Sequence, residues 1–350
     1  MRELKLLLLL SCITVIGFTS CEDSDDDDVD ITDPTDSTDV KTADSVFISM
    51  SGNYVNDIYY SFENGIVREE PRSNWDIAFY TNTWSSSVII NEGSGVKLYT
   101  YPRTDISGWN STMDTTGLAS WSAMYNSDTT WTFSAFEQNM TNGSDYGWGV
   151  YNIDNHDVVG DSMYIIKLTD ENYKKFILEK KVSTRNVYYF KYANLDGTNE
   201  VSDSIDLNNY TGKNFGYYSI VDKRKLDREP ATEDWDILFT KYVTQIPDGE
   251  GNIIDYTVTG VFQNVGVEAA EAGNRNVEDH STDNLNFNNQ IDIIGSDWKI
   301  FDMSTFQYNI EPDLSYFVKA QNDSIYHMVF TSFEGSSTGN VTFKQVAVDN

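Results

Sequence analysis

The chain is written twice. Tyr59-Tyr60-Ser61-Phe62, then Arg68-Glu69-Glu70-Pro71, then Asn74-Trp75-Asp76-Ile77-Ala78-Phe79 return as Tyr217-Tyr218-Ser219-Ile220, Asp227-Arg228-Glu229-Pro230 and Asp234-Trp235-Asp236-Ile237-Leu238-Phe239, in the same order and at nearly the same spacing. Tyr164-Ile165-Ile166-Lys167 is echoed by Tyr316-Phe317-Val318-Lys319, Tyr173 to Leu178 by Tyr326 to Phe330, and Phe190-Lys191 by Phe343-Lys344. Solenoid and propeller arrays repeat every 20 to 50 residues or so. This period is several times longer, so each copy is expected to own a core. The copies fall at 45–198 and 199–350, each of ordinary domain size.

Within a copy the periodicity is two. Trp75, Ile77 and Phe79 are expected to face one way and Asp76, Ala78 and Tyr80 the other, as are Trp235, Ile237 and Phe239, which describes a strand with one buried face. Further strands read at Val88–Asn91, Val96–Tyr101, Thr130–Phe136, Met163–Leu168, Phe176–Lys180, Val187–Tyr192, Ile254–Gln263, Tyr316–Ala320, Ile325–Phe330 and Asn340–Val346, separated by Gly, Asn, Asp and Ser clusters. Aromatic residues make up 14% of the chain and suit pleated surfaces better than helices. The best helical candidate is short, Val267 to Ala272 before Gly273. The expected fold class is all-β, two tandem antiparallel sandwich or curled-sheet modules.

Arg2 and Lys5, the apolar stretch Leu6–Phe18 and the small residues before Cys21 have the three-part layout of a secretory signal at 1–20. The apolar stretch is shorter than the roughly 20 residues of a membrane-spanning helix. Phe18-Thr19-Ser20-Cys21 resembles a lipobox, with Phe18 in place of the usual Leu or Val, so Cys21 is expected to carry the lipid that tethers the protein to a membrane. Cys12 lies in the discarded leader, which leaves no disulfide. Residues 22–40 hold ten Asp or Glu and no Lys or Arg, the composition of an unfolded tether at 21–44. The run Ser24 to Asp28 resembles the export signal of surface-exposed lipoproteins of Bacteroidota; a plain solvated spacer is the alternative.

Formal net charge is −31, and setting aside those ten carboxylates still leaves −21, so the folded part is acidic and nucleic acid is excluded as a natural partner. A search for catalytic signatures finds no His-Glu-x-x-His, phosphate cradle or nucleophile elbow, and Gly160-Asp161-Ser162-Met163 is too short a match to an esterase motif to carry a reaction. The chain therefore reads as a binding protein rather than an enzyme, with a surface hydrolase as the remaining class. His327, at an alternating strand position, is expected to face solvent, and His156 and His280 lie in polar, turn-rich segments.

The Tyr-x-Ser-Phe and Asn-Trp-Asp-Ile-Ala-Phe pattern of 59–79, followed by Gly93-Ser94-Gly95, resembles the start of the HmuY family of haem-binding lipoproteins, and the second copy repeats the Trp-Asp part. The resemblance implies an all-β fold holding haem between two axial His or Met ligands, on a cell-surface lipoprotein of the outer membrane that passes haem or a related tetrapyrrole to a transporter for iron acquisition. It places Met303, following Trp298, at one ligand position; in the first copy Ile153 stands at equal spacing from Trp148, with His156 three residues later. His280 and Met124 are the candidates for the other ligand. The alternative on the same scaffold is a glycan- or protein-binding adhesion lipoprotein without metal chemistry. Trp75 and Trp235 are expected to anchor cores, with Asp76 and Asp236 satisfying nearby backbone donors.

Overall fold

The structure is a computed structural model that describes residues 42–348 apart from 142, 274, 275 and 279; Cys21, the leader and the tether up to residue 41 lie outside the described residues. Among the described residues there is no α-helix, and strands joined by tight turns and single 3-10 turns make up the chain, as the alternating pattern and aromatic content require.

The strands form two sandwiches. In one, the sheet Val201–Asp206, Val187–Asn194, Tyr173–Val182, Tyr164–Lys167, Lys97–Thr100 packs on the four-stranded sheet Arg224–Leu226, Phe215–Ser219, Ile77–Tyr80, Val88–Ile90. In the other, the five-stranded sheet Asp44–Ser49, Asn340–Val348, Ile325–Phe333, Ser315–Lys319, Glu268–Ala272 packs on Ile253–Gln263, Ile237–Pro247, Asn56–Ser61, Gly65–Pro71. Both are antiparallel, and strand for strand they correspond.

The copies do not each own a core. Asn56–Ser61 pairs with Ile237–Pro247, placing Tyr60 opposite Ile237, and Phe215–Ser219 pairs with Ile77–Tyr80, placing Tyr218 opposite Ile77. Asp44–Ser49 likewise completes the sheet of the last strand, while Val201–Asp206 completes that of Val187–Asn194. The opening segment of each copy is thus docked on the other copy. A boundary at 198/199 would cut through the first core, where Ile205, Leu207, Tyr218 and Ile220 pack with Ile77, Phe79 and Tyr188.

The Trp-Asp motifs explain this register. Asp76 donates its backbone N–H to the Tyr218 carbonyl (3.0 Å), and its Oδ2 accepts from the N–H groups of Ile220 (2.7 Å) and Val221 (3.1 Å). Asp236 donates to the Tyr60 carbonyl (2.8 Å); its Oδ2 accepts from Phe62 N–H (2.7 Å) and its Oδ1 from Gln321 N–H (2.8 Å). Each carboxylate satisfies donors at the end of the other copy's Tyr-Tyr-Ser strand, and a one-residue slip would turn every side chain over. The preceding tryptophans are buried as expected and meet the same strands edge-on, Trp75 on Tyr217 (5.1 Å) and Trp235 on Tyr59 (5.0 Å).

Four expectations are corrected. The Ile77–Tyr80 strand is buried on both faces: Ile77 and Phe79 enter the sandwich core, while Trp75, Ala78 and Tyr80 enter a second apolar layer with Phe215 and Tyr217. Thr130–Phe136 is not a strand, because the chain leaves the sheet to insert Trp131 between Phe215 and Phe262, with its indole N–H donating to the Gln263 carbonyl (2.9 Å). Val267–Ala272 is no helix; Ala269 and Ala270 lie opposite Val318 and Phe317 at a sheet edge, and pairing overrides the helical preference of alanine. His327 is fully buried, its ring stacked on Phe317 at 4.1 Å, since the segment carrying Val277 covers that face of the sheet.

Candidate functional site

After the buried Trp148 and Trp298, each copy builds the same hairpin. Gly149–Tyr151 pairs with Val158–Gly160, and Lys299–Asp302 with Gln307–Ile310. Asn152 Oδ1 accepts from Asp154 N–H (2.8 Å) and the Asn152 carbonyl from His156 N–H (2.8 Å); Asp302 accepts at the same atoms from Ser304 and Phe306, again at 2.8 Å. An Asx turn of this kind favours Asn or Asp at its first position. The tips are therefore equivalent residue for residue: Tyr151 with Phe301, Ile153 with Met303, His156 with Phe306.

Both tips hold a large side chain in the left-handed region, His156 at φ 63° and Phe306 at φ 55°. For a bulky residue this costs on the order of 1 kcal/mol, and such strain gathers at functional positions. Phe306 is also 75% exposed, and the equivalent Ile153 and Met303 are 77% and 71% exposed. Burying an apolar side chain stabilises by roughly 1.5–3 kcal/mol; both tips forgo that gain at the same position.

In the second copy the exposed rings end an aromatic wall that begins in the core. Trp298 meets Phe333 (5.4 Å), Phe333 meets Tyr308 (4.8 Å), Tyr308 meets Phe301 (5.0 Å) and Phe301 meets Phe306 (6.5 Å). Lys299 braces the base of the wall. Its ammonium lies 4.0 Å from the Trp298 ring centre and donates to the carbonyls of Thr259 (2.6 Å) and Ser296 (3.1 Å), and burial lowers its pKa to about 7. Between the wall and the loop Glu334-Gly335-Ser336-Ser337 lies a cleft of about 550 Å³, with Gln307 at its rim. Aromatic faces on one side and hydrogen-bonding groups on the other suit a ring with an apolar face and a polar edge.

The first copy varies the theme. The Tyr151 hydroxyl and His156 Nδ1 are 2.6 Å apart, Trp84 meets the imidazole edge-on at 5.8 Å, and Tyr146 lies 6.1 Å from Tyr151. Tyr80, Trp84 and Tyr146 line a shallower cavity of about 330 Å³ with Thr132 and Glu137.

The four expected axial ligands do not converge. Met303 and His156 sit on different hairpins. Met124 is half-buried and lines another cavity, of about 480 Å³, among Asn126, Asp128 and Gln138; its Sδ accepts from Thr100 Oγ1 (3.4 Å) and Asn139 Nδ2 (3.5 Å). His280, half-buried, follows the edge strand Glu268–Ala272. None of the cavities described holds two of them. The hydroxyl of Ser162 donates to Asp161 Oδ1 (2.8 Å) and the Gly147 carbonyl (3.2 Å), and no group of three or more His, Cys, Asp or Glu side chains among the described residues is arranged to hold a metal ion. The aromatic wall was not anticipated, although its signal was present in Ile300-Phe301, Phe306 and Tyr308 clustered about the Asp302 turn.

No protein-family model matches the chain, and no curated protein matches it. Among solved structures, the crystal structure of a candidate lipoprotein from Bacteroides fragilis aligns at 14% identity over 59% of this chain and 97% of that chain, with a TM-score of 0.22. A likeness at that level carries no argument about fold or function.

Proposed function

We propose that this protein is a lipid-tethered surface binding protein that captures a glycan, with a sugar ring laid against Phe301, Phe306 and Tyr308 in the cleft of the second hairpin. The observation that carries this reading is Phe306, an exposed aromatic held at positive φ at the end of a braced aromatic wall. A sugar presents an apolar C–H face to such rings and its hydroxyls to Gln307, Glu334, Ser336 and Ser337. The Trp84–Tyr151–His156 tip supplies a second contact, and two weak sites on one body raise avidity without new contacts. Lipidated Cys21 anchors it to the outer membrane at the cell surface.

One observation favours haem as a second reading. Met303 stands on the turn between Phe301 and Phe306, where its thioether could ligate iron in a tetrapyrrole lying on the aromatic wall, for delivery to an outer-membrane transporter. Titration of the intact protein with a glycan panel and with hemin separates the two. Glycan binding lost about tenfold or more in a Phe301→Ala/Phe306→Ala double variant, with hemin showing its free spectrum, is the expected result. A sharpened Soret band abolished by Met303→Ala would replace the glycan with a tetrapyrrole. If the double variant binds everything as the parent does, the cleft is not the site.

A further inference from the structure

Beside the cleft lies a pocket of opposite character, and Tyr54 forms the wall between them. One face of its ring is parallel to Phe333 (5.9 Å), and the Lys241 ammonium lies 6.0 Å from its centre. The pocket has about 410 Å³ and is lined by Tyr54, Arg72, Lys241 and the loop Glu92-Gly93-Ser94-Gly95. In a chain of net charge −31, two cations, Arg72 and Lys241, line this one pocket. Arg72 is 4% exposed; its Nε bonds Asp57 Oδ1 (2.8 Å) and its Nη2 the Asn56 carbonyl (2.9 Å), while Nη1 has no partner among the described residues. Asp57 is shared, because Arg228 Nη2 also donates to it (2.9 Å). Lys241 makes no ion pair among the described residues, and burial together with Arg72 lowers its pKa. Glu92, which lines the pocket, is held by the N–H groups of Asn126 (2.8 Å) and Val243 (3.0 Å), and burial raises it to about 8, so it is mainly neutral at pH 7.

The duplication supplies the control. Asn91 donates to the carbonyls of Arg72 and Trp75, and Asn264 donates to those of Thr232 and Trp235, which aligns Glu92 with Val265 and Gly93 with Gly266. Alignment of Trp75-Asp76 with Trp235-Asp236 sets Lys241 against Thr81, and the matched Asn91 and Asn264 bonds set Arg72 against Thr232. The same backbone is built with Thr, Val and Thr where this pocket has Arg, Glu and Lys, so the fold does not require the ionic set. A buried guanidinium with an unpartnered Nη1 beside a half-buried lysine is costly, and this set occurs at only one of the two equivalent seats. Gly93 keeps the loop close, since a Cβ there would collide with the Lys241 carbonyl.

We propose that this pocket binds an oxyanion, a carboxylate or phosphate group, between Arg72 and Lys241. Resting on the glycan reading of the adjoining cleft, this makes an acidic sugar, a uronate or a phosphorylated one, the ligand class that would span both. Calorimetric titration of the intact protein with glucuronate, acetate and inorganic phosphate at low ionic strength tests it. Binding of at least one anion, weakened about tenfold or more by Lys241→Thr with an unchanged melting temperature, is expected, and Arg72→Ala should weaken it further. Lys241→Thr installs the residue that Thr81 already provides in the other copy, so folding is not at stake. Glucuronate and acetate binding without phosphate identifies a carboxylate site; phosphate alone identifies a phosphate site. No binding by the parent, or equal binding by Lys241→Thr, overturns the proposal. Because acetate and phosphate need no aromatic cleft, their binding survives a failure of the glycan reading.

Discussion

The two exchanged junctions share a backbone and differ in chemistry. Where Asn56–Ser61 crosses Ile237–Pro247, Asp57 accepts from Arg72, from Arg228 and from Thr240 Oγ1 (2.7 Å). Where Phe215–Ser219 crosses Ile77–Tyr80, the equivalent of Asp57 is Phe215 and the equivalent of Thr240 is Tyr80, and their rings pack at 5.3 Å. One junction is held by a buried ion pair, the other by aromatic contact beside a buried carboxyl, Glu229, which accepts from Phe215 N–H (2.7 Å) and the Tyr217 hydroxyl (2.8 Å). Buried ion pairs are seldom worth more than the apolar packing that could replace them, yet breaking one is expensive. The apolar junction therefore stands for what the fold needs, and the ionic junction for what was added to it.

The largest effect expected from this comparison is at Asp57. Asp57→Ala leaves two buried guanidiniums without their shared carboxylate and should destabilise by about 3–5 kcal/mol in urea unfolding, whereas Phe215→Leu should cost about 1–2 kcal/mol. Equal costs would erase the distinction between the junctions. Next comes Glu92, whose carboxyl is raised by burial to about 8. The folded protein then keeps a proton that the unfolded chain releases above about pH 4.5, so stability contributed by this group is present below that value and lost as pH rises through about 8. Glu92→Gln should gain on the parent by up to about 1.4 kcal/mol per pH unit in that window. Val265→Gln, at the matching position of the apolar junction, should show no such slope.

Smaller is the pair of latches. Asp76→Ala and Asp236→Ala each leave buried backbone N–H groups unsatisfied and should each cost about 2 kcal/mol; unequal values would show that the exchange is not symmetric in energy. The smallest concerns the hairpin tips. Phe306→Gly should stabilise by about 0.5–1 kcal/mol through relief of positive φ, while His156→Gly should gain less, because it also loses the bond to the Tyr151 hydroxyl. Thermal melts of the two variants read the difference.

Much of this architecture was legible in the sequence. Alternation located most strands, the repeat located their counterparts, and the Trp-Asp dipeptides marked the register. The exchange was not legible, because Tyr59-Tyr60-Ser61 and Tyr217-Tyr218-Ser219 are alike and either fits either partner strand. The corrected faces have the same cause: Ala78 and Tyr80 look like solvent-facing residues until a second apolar layer is known to cover them. The hairpin following each buried Trp was not legible, since Met303 and His156 stood out only as residues spaced from a Trp, and the aromatic wall depends on Phe333, which is remote in sequence from Phe301. The ionic seat was missed for a related reason. Asp57 and Arg72 lie in one copy and Arg228 and Lys241 in the other, scattered through an acidic chain, and the set is completed only across the exchange.

The exchange itself is most directly tested by dissection. Residues 73–230 contain every strand of the first sandwich, whereas 45–198 lacks Phe215–Ser219 and Val201–Asp206 and carries strands whose partners lie elsewhere. Calorimetry on the two fragments should show a cooperative unfolding transition for 73–230 and none for 45–198. Cooperative unfolding of 45–198, with 73–230 unfolded, would contradict the account.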